Sequence, residues 1–164
     1  MVLILEILNG LLLSSFQATI QQQLTATFFI PVIMAIGGSS GNQAAVVMVR
    51  GLALGDVLEN KTLNRLLKEL GVALFNGIIC AIIILISTQL LFSSNEVSIS
   101  FSLLLSFTLL LIISYATIFG AAIPLILKKF GIDPAVAASP LVSTGNDIFG
   151  LLIYFSLVSL FFSA

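Results

Sequence analysis

Asp147 is the residue whose type and position point most directly to chemistry. It is the only charged residue after Asp133, and it lies about 12 residues, or about 18 Å of helix, beyond the start of the last apolar segment near Ala135. A carboxylate at that depth in a membrane is costly unless it faces a bundle interior or a water-filled cavity. We therefore interpret Asp147 as a functional group. The alternative is a neutral, hydrogen-bonded aspartic acid that only holds helices together.

Polar residues recur on the helical face that carries Asp147. Ser139 and Ser143 precede it at four-residue spacing, which places all three on one side of a helix. Further residues on or beside this stripe are Asn146, Gly150 and Tyr154. Such a stripe predicts the lining of a hydrated path.

A glycine-rich run at positions 37–43 is the second unusual element. It contains Gly37, Gly38 and Gly41, followed by Asn42 and Gln43, which add amide oxygens. The glycines would permit either close helix approach or a broken helix, which a bilayer tolerates only where freed carbonyls face protein or water. A phosphate loop is excluded, because no Lys-Ser or Lys-Thr pair follows and the run lies inside an apolar segment. Ordinary small-residue helix packing is the alternative.

The elements that must position these residues are membrane-spanning helices. Of the 164 residues, 59% are apolar and only 8% are charged, with a mean hydropathy of +1.23, whereas soluble domains carry about 25% charged residues. Uncharged stretches of 43, 26 and 31 residues precede Arg50, Glu96 and Lys128. A spanning helix needs about 20 apolar residues, so the first stretch is long enough for two spans. The second stretch, the third stretch and the C-terminal segment are each long enough for one. We therefore expect an all-α membrane protein with five transmembrane helices.

The span positions follow from turn signals between the apolar stretches. We place the spans at roughly Val2–Ile20, Leu24–Val49, Leu70–Phe92, Ser98–Leu127 and Ala135–Phe162. Pro31 and Pro124 fall inside the second and fourth spans, where they predict kinks. Before the last span, Gly131 suits a left-handed helix end, Asp133 an N-cap and Pro134 a first helical turn.

The basic residues predict the orientation. All six lie at two connections separated by two spans: Arg50, Lys61, Arg65 and Lys68 at one, and Lys128 and Lys129 at the other. Both connections are therefore on the same side, which the positive-inside rule makes cytoplasmic. The N-terminus is then cytoplasmic and the C-terminus outside.

The connection between spans two and three, Gly55–Glu69, has a pattern of its own. Leucines recur at helical spacing, at positions 63, 66, 67 and 70, with bases and Glu69 around them. This pattern predicts a short amphipathic helix on the inner membrane face. A solvated linker that leads into the third span is the alternative.

Composition narrows the function classes. The absence of histidine removes the commonest general base and transition-metal ligand. A net charge of −1 argues against a nucleic-acid partner, which calls for a clustered basic face. A single cysteine, Cys80, cannot form an internal disulfide. We expect no enzyme activity.

Two segments resemble signatures of the MgtE-type magnesium channels and transporters. The first runs through the 37–43 glycine run and on to Asp56, and the second runs from Asp133 through Asp147 to Tyr154. The resemblance covers essentially the whole chain and identifies residues 1–164 as an MgtE-like transmembrane domain. Members of that family usually carry a cytoplasmic helical domain and CBS domains that sense magnesium, whereas this chain starts directly at the first span.

The resemblance implies a homodimer whose cation path follows the two-fold axis between the second and fifth spans. Asp147 matches the family's pore aspartate and is the implied metal-binding residue. The stripe and the resemblance together predict these pore-lining residues: Ser139, Ser143, Thr144, Asn146, Gly41, Asn42 and Gln43. Structural roles are predicted for Gly37, Gly38, Pro31 and Pro124.

Elementary ion chemistry agrees with that expectation. Magnesium binds oxygen and gives up its water reluctantly, and one acid per chain compensates a divalent ion poorly unless a symmetric dimer supplies a second. We therefore expect channel-like flux of hydrated Mg²⁺, the transported ion, through a multi-pass protein of the plasma membrane bilayer. The alternatives are a pore for other divalent cations, a proton-coupled cation transporter, and a membrane assembly subunit that transports nothing.

We expect cytosolic magnesium to regulate the opening of the pore only weakly. The acids on the predicted cytoplasmic side are few and scattered, and we expect them to be solvent-exposed: Asp56, Glu59, Glu69 and Asp133, with Glu6 as a further candidate. Shifting a two-state gate from 1:99 to 99:1 takes about 5.5 kcal/mol of differential binding, which such acids are not expected to supply.

Overall fold

The computed structural model describes residues 2–22, 24–55, 62–92 and 97–163, and all of its regular elements are helices. They are α1 (Val2–Ser15), α2 (Gln17–Gln22), α3 (Leu24–Thr27), α4 (Ile30–Ala53), α5 (Thr62–Leu91), α6 (Ile99–Lys129) and α7 (Pro134–Ser163). No strand occurs within these described ranges. The all-α class expected from the sequence is confirmed.

Within the described residues, four segments are long and apolar enough to cross a membrane. They are Thr25–Ala53, Thr62–Leu91, Ile99–Lys129 and Pro134–Phe162. At 29 to 31 residues each, they exceed the roughly 20 residues that a hydrocarbon core requires. The predicted first span divides at Phe16 into α1 and α2, of 14 and 6 residues. The structure therefore shows four such segments, and a fifth span remains a prediction.

Helix α6 is the centre of the bundle, and α4, α5 and α7 all pack against it. Its buried residues extend from Phe101 near one end to Leu127 near the other. Many of them are small, including Ala116, Gly120 and Ala121, and small residues let helix backbones approach closely where lipid offers no hydrophobic driving force between helices. Helix α5, in contrast, leaves most of its surface outside the chain, as expected of a helix that faces lipid.

The apolar core lies toward the end of the bundle where α3 joins α4. Phe29 packs against Phe92 and Phe101, with ring centroids 5.8 and 6.1 Å apart. The Tyr154 hydroxyl donates to the Ala26 carbonyl at 2.6 Å. The same carbonyl accepts from the Phe29 N–H at 3.3 Å, so the tyrosine adds a second, shorter bond beside the break between α3 and α4.

The two proline predictions have different outcomes. Pro31 lies in the first turn of α4, which begins at Ile30, so the kink expected inside span two is instead a break between α3 and α4. Proline suits a first turn because its missing N–H would have no helical partner there. Pro124 does lie inside α6 and is buried, and the helix continues past it to Lys129.

The connection between α6 and α7 has the predicted form. Gly131 has a φ of +72°, its N–H donates to the Lys128 carbonyl at 3.1 Å, and the Ile132 N–H donates to the Leu127 carbonyl at 2.9 Å. This is the Schellman arrangement that closes a helix. Asp133 then accepts a hydrogen bond from the Ala135 N–H at 2.9 Å, and Pro134 begins α7.

The prediction of a separate amphipathic helix before span three is wrong. Helix α5 runs without interruption from Thr62 to Leu91, so the leucine pattern forms its first turns. Leu66 packs against a small cluster that includes Met48 and Ala121, whereas Leu63 and Leu67 are exposed. Leu66 therefore attaches the first turns of α5 to the bundle. Positions 56–61 lie outside the described residues.

Candidate functional site

The glycine run of α4 makes a close contact with α6 and α7 at Gly41. A Cβ placed on Gly120 of α6 would overlap the Gly41 carbonyl, and one placed on Gly41 would overlap the Asn146 side chain. Helix α4 nevertheless continues unbroken from Ile30 to Ala53. Of the two possibilities left open by the glycines, close approach is confirmed and a broken helix is wrong.

The other two glycines of the run differ from each other. A Cβ on Gly37 would lie 3.0 Å from the Ile112 side chain, so Gly37 contributes to the α4–α6 contact. A Cβ on Gly38 would meet no heavy atom within 4 Å. Packing within the chain therefore gives a reason for glycine at Gly37 and Gly41, and none at Gly38.

Close packing brings the amide of Asn42 onto the polar stripe of α7. Asn42 Nδ2 donates to Ser143 Oγ at 2.9 Å, and its Oδ1 accepts from Ser139 Oγ at 3.0 Å. The two serines are one helical turn apart, which is the spacing one amide can bridge. The two polar segments singled out in the sequence thus meet at one place.

This meeting point lies at the surface of the chain, and we call it the α4–α7 face. Ser139 is exposed there, and Asn42, Ser143 and Asp147 are half-buried. Beside Asn42 and Ser139 the two helices enclose an open groove of about 270 Å³, lined further by mainly apolar residues such as Val46, Val49 and Ala138. An ion that approached this face would meet hydroxyl and amide groups, and a carboxylate one turn farther along.

Other predicted site residues point into the chain instead. Thr144 is 3% exposed and donates to the Pro140 carbonyl at 2.9 Å. Asn146 is 4% exposed, and its Nδ2 donates to the Gly37 carbonyl at 3.4 Å. Thr144 follows Ser143 directly and is rotated from it by about 100° around the helix, and Asn146, three residues after Ser143, lies about 60° from it on the other side. Both are buried inside the chain, and Asn146 lies in the contact between α4 and α7.

Fewer residues of the polar stripe are at the surface than the sequence predicted. Tyr154 is fully buried in the core, and Gly150 is buried as well, so the surface part comprises Ser139, Ser143 and Asp147. Within the described ranges, no group of three or more Asp, Glu, Cys or His residues is positioned to hold a dehydrated metal ion. The polar groups of this face suit an ion that keeps its water.

The sequence analysis missed a second cavity, whose lining is partly polar. It lies between α4 and α5, has a volume of about 130 Å³, and is lined by these polar and apolar residues: Ser40, Gln43, Glu69, Asn76, Thr117, Ala44, Val47, Val72 and Ala73. Glu69, expected to be solvent-exposed, is only 12% exposed. The available signal was the seven-residue spacing of Glu69 and Asn76, which places them on one side of α5.

Comparisons with known proteins agree with the sequence resemblance. A family model described as MgtE, a divalent cation transporter, matches residues 30–157. The chain is 34% identical over 162 residues to the magnesium transporter MgtE of Bacillus subtilis, covering 98% of this chain and 35% of that protein. It is 31% identical over 166 residues to the magnesium transporter MgtE of Thermus thermophilus, covering 99% of this chain and 36% of that protein.

The chain thus spans about a third of the length of these relatives, and the match runs through nearly all of its own residues. The family match includes α4, with its glycine run, and α7 up to the turns beyond Asp147. The chain belongs to the MgtE family of divalent cation transporters, which are not enzymes.

Proposed function

We propose that this chain forms a membrane pore that carries hydrated Mg²⁺, with Asp147 at the ion site. The observation that carries this proposal is the bridge from Asn42 to Ser139 and Ser143 on an open face beside Asp147. The bridge orients amide and hydroxyl groups toward one region of the surface. The names of the relatives add that proteins of this family transport magnesium.

The site is incomplete in one chain, and we propose that a second copy completes it. One half-buried carboxylate on the α4–α7 face offers a single negative charge to a divalent ion. A two-fold axis beside this face would bring two Asp147 residues together, since such an axis pairs each patch with itself. The exposed Ser139 hydroxyl at the rim of the groove supports a partner more polar than lipid, because a hydroxyl is costly to place in hydrocarbon.

Ion passage then requires little dehydration. Mg²⁺ keeps several of its waters when it binds to proteins and uses one or two carboxylates. In the proposed dimer, paired Asp147 carboxylates balance the charge of the ion. The Asn42 carbonyl oxygen and the Ser139 and Ser143 hydroxyls accept hydrogen bonds from its waters. Flux is passive and runs down the electrochemical gradient into the cytoplasm.

We further propose five spans, with α1 and α2 together as the first. Residues 2–22 would extend about 31 Å at 1.5 Å per residue, which matches a hydrocarbon core of about 30 Å. The stacked rings of Phe16 and Phe155, 5.2 Å apart, attach this segment to α7. With bases at the inner ends of α4, α5 and α6, the N-terminus is cytoplasmic and the plasma membrane is the proposed location.

The experiment that tests this function is flux into liposomes. The purified chain is reconstituted with a magnesium-sensitive dye inside the vesicles, and an inward gradient is applied with and without a membrane potential. We expect a Mg²⁺ flux that grows with an inside-negative potential and needs no proton gradient. Dependence on a proton gradient would favour coupled transport, and flux of Co²⁺, Ni²⁺ or Mn²⁺ at similar rates would favour a broader divalent pore. No flux from folded protein would overturn the proposal in favour of an assembly role.

A further inference from the structure

The side chain of Asn146 is a buried polar group that the proposed pore does not use. It is 4% exposed, and its Nδ2 donates to the Gly37 carbonyl at 3.4 Å. A Cβ on Gly41 would overlap this nitrogen, and the same Cβ would lie 3.0 Å from the Ala116 carbonyl oxygen of α6. The amide therefore fills a notch that Gly41 leaves in α4, at the place where α4, α6 and α7 meet.

Stability alone does not account for an amide in this notch. Asn146 Oδ1 is buried and has no hydrogen-bond partner among the described residues. A buried acceptor without a partner is unfavourable, because it has lost its hydrogen bonds to water. An apolar side chain of similar shape would fill the notch without that penalty. What only the asparagine offers is its donor to the Gly37 carbonyl.

The bond from Asn146 to Gly37 joins the same two helices as the Asn42 bridge, at a different height. Gly37 and Asn42 are five residues apart, which is about 7.5 Å along α4. Their partners on α7 run in the opposite direction, from Asn146 back to Ser143 and Ser139, so the two helices are antiparallel. A single contact would let the helices pivot, whereas two contacts at different heights fix the register of α7 against α4.

Burial excludes the direct role in the pore that the sequence predicted for Asn146. The residue lies about 60° from Ser143 around α7, which is close enough for the sequence stripe to include it. Its side chain nevertheless lies inside the chain. A residue in this position can affect an ion only through the residues whose positions it sets.

We propose that Asn146 is a positioning residue for the pore. By holding the Gly37 carbonyl, it sets the register in which Asn42 reaches both Ser139 and Ser143. Asn146 itself touches no ion. Because the Asn42 bridge belongs to the proposed ion site, this role rests on the proposed function and deepens it.

A purely structural role is the alternative, and Thr88 provides the control for it. Thr88 is 1% exposed and donates to Ser102 Oγ at 2.9 Å, which joins α5 to α6 rather than α4 to α7. Thr88→Val keeps the shape of the side chain and removes one buried bond between helices, as Asn146→Ala does. Both variants should lose stability, and only Asn146→Ala should alter the Asn42 bridge.

Hydrogen exchange at Asn42 reports the register without any transport. The full chain is labelled with ¹⁵N-asparagine in detergent micelles, and the Asn42 side-chain amide signal is identified by its loss in Asn42→Ala. In Asn146→Ala we expect this amide to exchange with water about fivefold faster, the effect of losing one hydrogen bond of ordinary strength. In Thr88→Val its exchange should be unchanged.

Flux into liposomes tests whether the register matters for ions. Asn146→Ala should raise the half-saturating Mg²⁺ concentration about fivefold, whereas Thr88→Val should leave it unchanged. In an Asn42→Ala background, Asn146→Ala should have no further effect, because its influence passes through Asn42. If Asn146→Ala does not fold, Asn146→Leu takes its place, since leucine branches at the same carbon and carries no donor.

The two measurements separate failure of the positioning role from failure of the proposed function. A wild-type chain without flux would overturn the proposed function, and the exchange rate at Asn42 would still decide whether Asn146 sets the register. Wild-type flux with an unchanged exchange rate or an unchanged half-saturating concentration in folded Asn146→Ala would overturn the positioning role alone. Equal shifts in Thr88→Val would overturn it as well, and so would additive effects of Asn42→Ala and Asn146→Ala on half-saturation.

Discussion

Asn42 and Ser143 are joined by a hydrogen bond of 2.9 Å although 101 positions separate them in the chain. The bond connects the glycine run of α4 to the polar stripe of α7. It forms because Gly41 and Gly120 allow α4 and α6 to approach until their backbones touch, and α7 packs against both helices. The proposed ion site therefore depends on helix packing at a neighbouring contact.

Substitution of Asp147 tests the ion site most directly. Asp147→Asn removes the proposed charge with little change in size, so we expect loss of saturable Mg²⁺ binding in calorimetry and loss of liposome flux. Asp147→Glu keeps the charge but lengthens the side chain, so its flux should fall less. Both variants should remain folded and dimeric. Wild-type flux in Asp147→Asn would contradict the assignment.

Helix packing at Gly120 is tested by its substitution with alanine. The added Cβ would overlap the Gly41 carbonyl, so we expect Gly120→Ala to cost about 1–3 kcal/mol of stability, as overpacking does in other cores. Thermal unfolding in detergent, followed by circular dichroism, measures this. Gly38→Ala is the control, since it has open space and gains helix propensity. Equal melting temperatures for the two variants would show that the close contact is unimportant.

The two tyrosines make a matched pair. Tyr154→Phe removes the hydrogen bond to the Ala26 carbonyl, which keeps only the longer bond from the Phe29 N–H at 3.3 Å. The loss should cost about 1 kcal/mol, as for a typical buried hydrogen bond. The Tyr115 hydroxyl is buried and has no partner within the described ranges, so Tyr115→Phe should be neutral or stabilising. The measurement is again thermal unfolding in detergent. A larger loss for Tyr115→Phe than for Tyr154→Phe would reverse our interpretation of both hydroxyls.

Cysteine cross-linking tests the proposed dimer axis. In a Cys80→Ala background, Ser139→Cys lies on the exposed α4–α7 face and should cross-link between subunits under mild oxidation. Phe75→Cys, on the exposed surface of α5, is the comparison, because Phe75 is 70% exposed and should face lipid. Dimer bands on non-reducing gels report the result. Cross-linking at position 75 with none at position 139 would place the axis elsewhere.

Several features of this protein could be predicted from local sequence. Low charge and long apolar stretches require helices in a membrane, because only internally hydrogen-bonded backbone is stable there. The end of α6 and the start of α7 were also predictable, since Gly131, Asp133 and Pro134 each suit one position of such a turn. The family resemblance depended on the same kind of information, residue types in a fixed order.

Other features were decided only by tertiary packing. The leucine pattern before α5 is compatible with a separate surface helix or with the first turns of a long one, and Leu66 favours the second by packing beside Met48 and Ala121. The direction of each polar residue on α7 likewise depends on its neighbours. Ser143 meets Asn42 at the surface, whereas Asn146 meets Gly37 inside.

The α4–α5 cleft shows the difference most clearly. In sequence, Glu69 is one of several acids near basic residues, and periodicity predicts only the side of the helix on which it lies. Its burial depends on α4 and α6, which place Ser40 and Thr117 opposite it. The sequence alone determined that this chain forms apolar helices and that it resembles one family, because charge and residue spacing are local properties. Which polar groups share a cavity was decided by the tertiary structure, because that depends on contacts between residues distant in the chain.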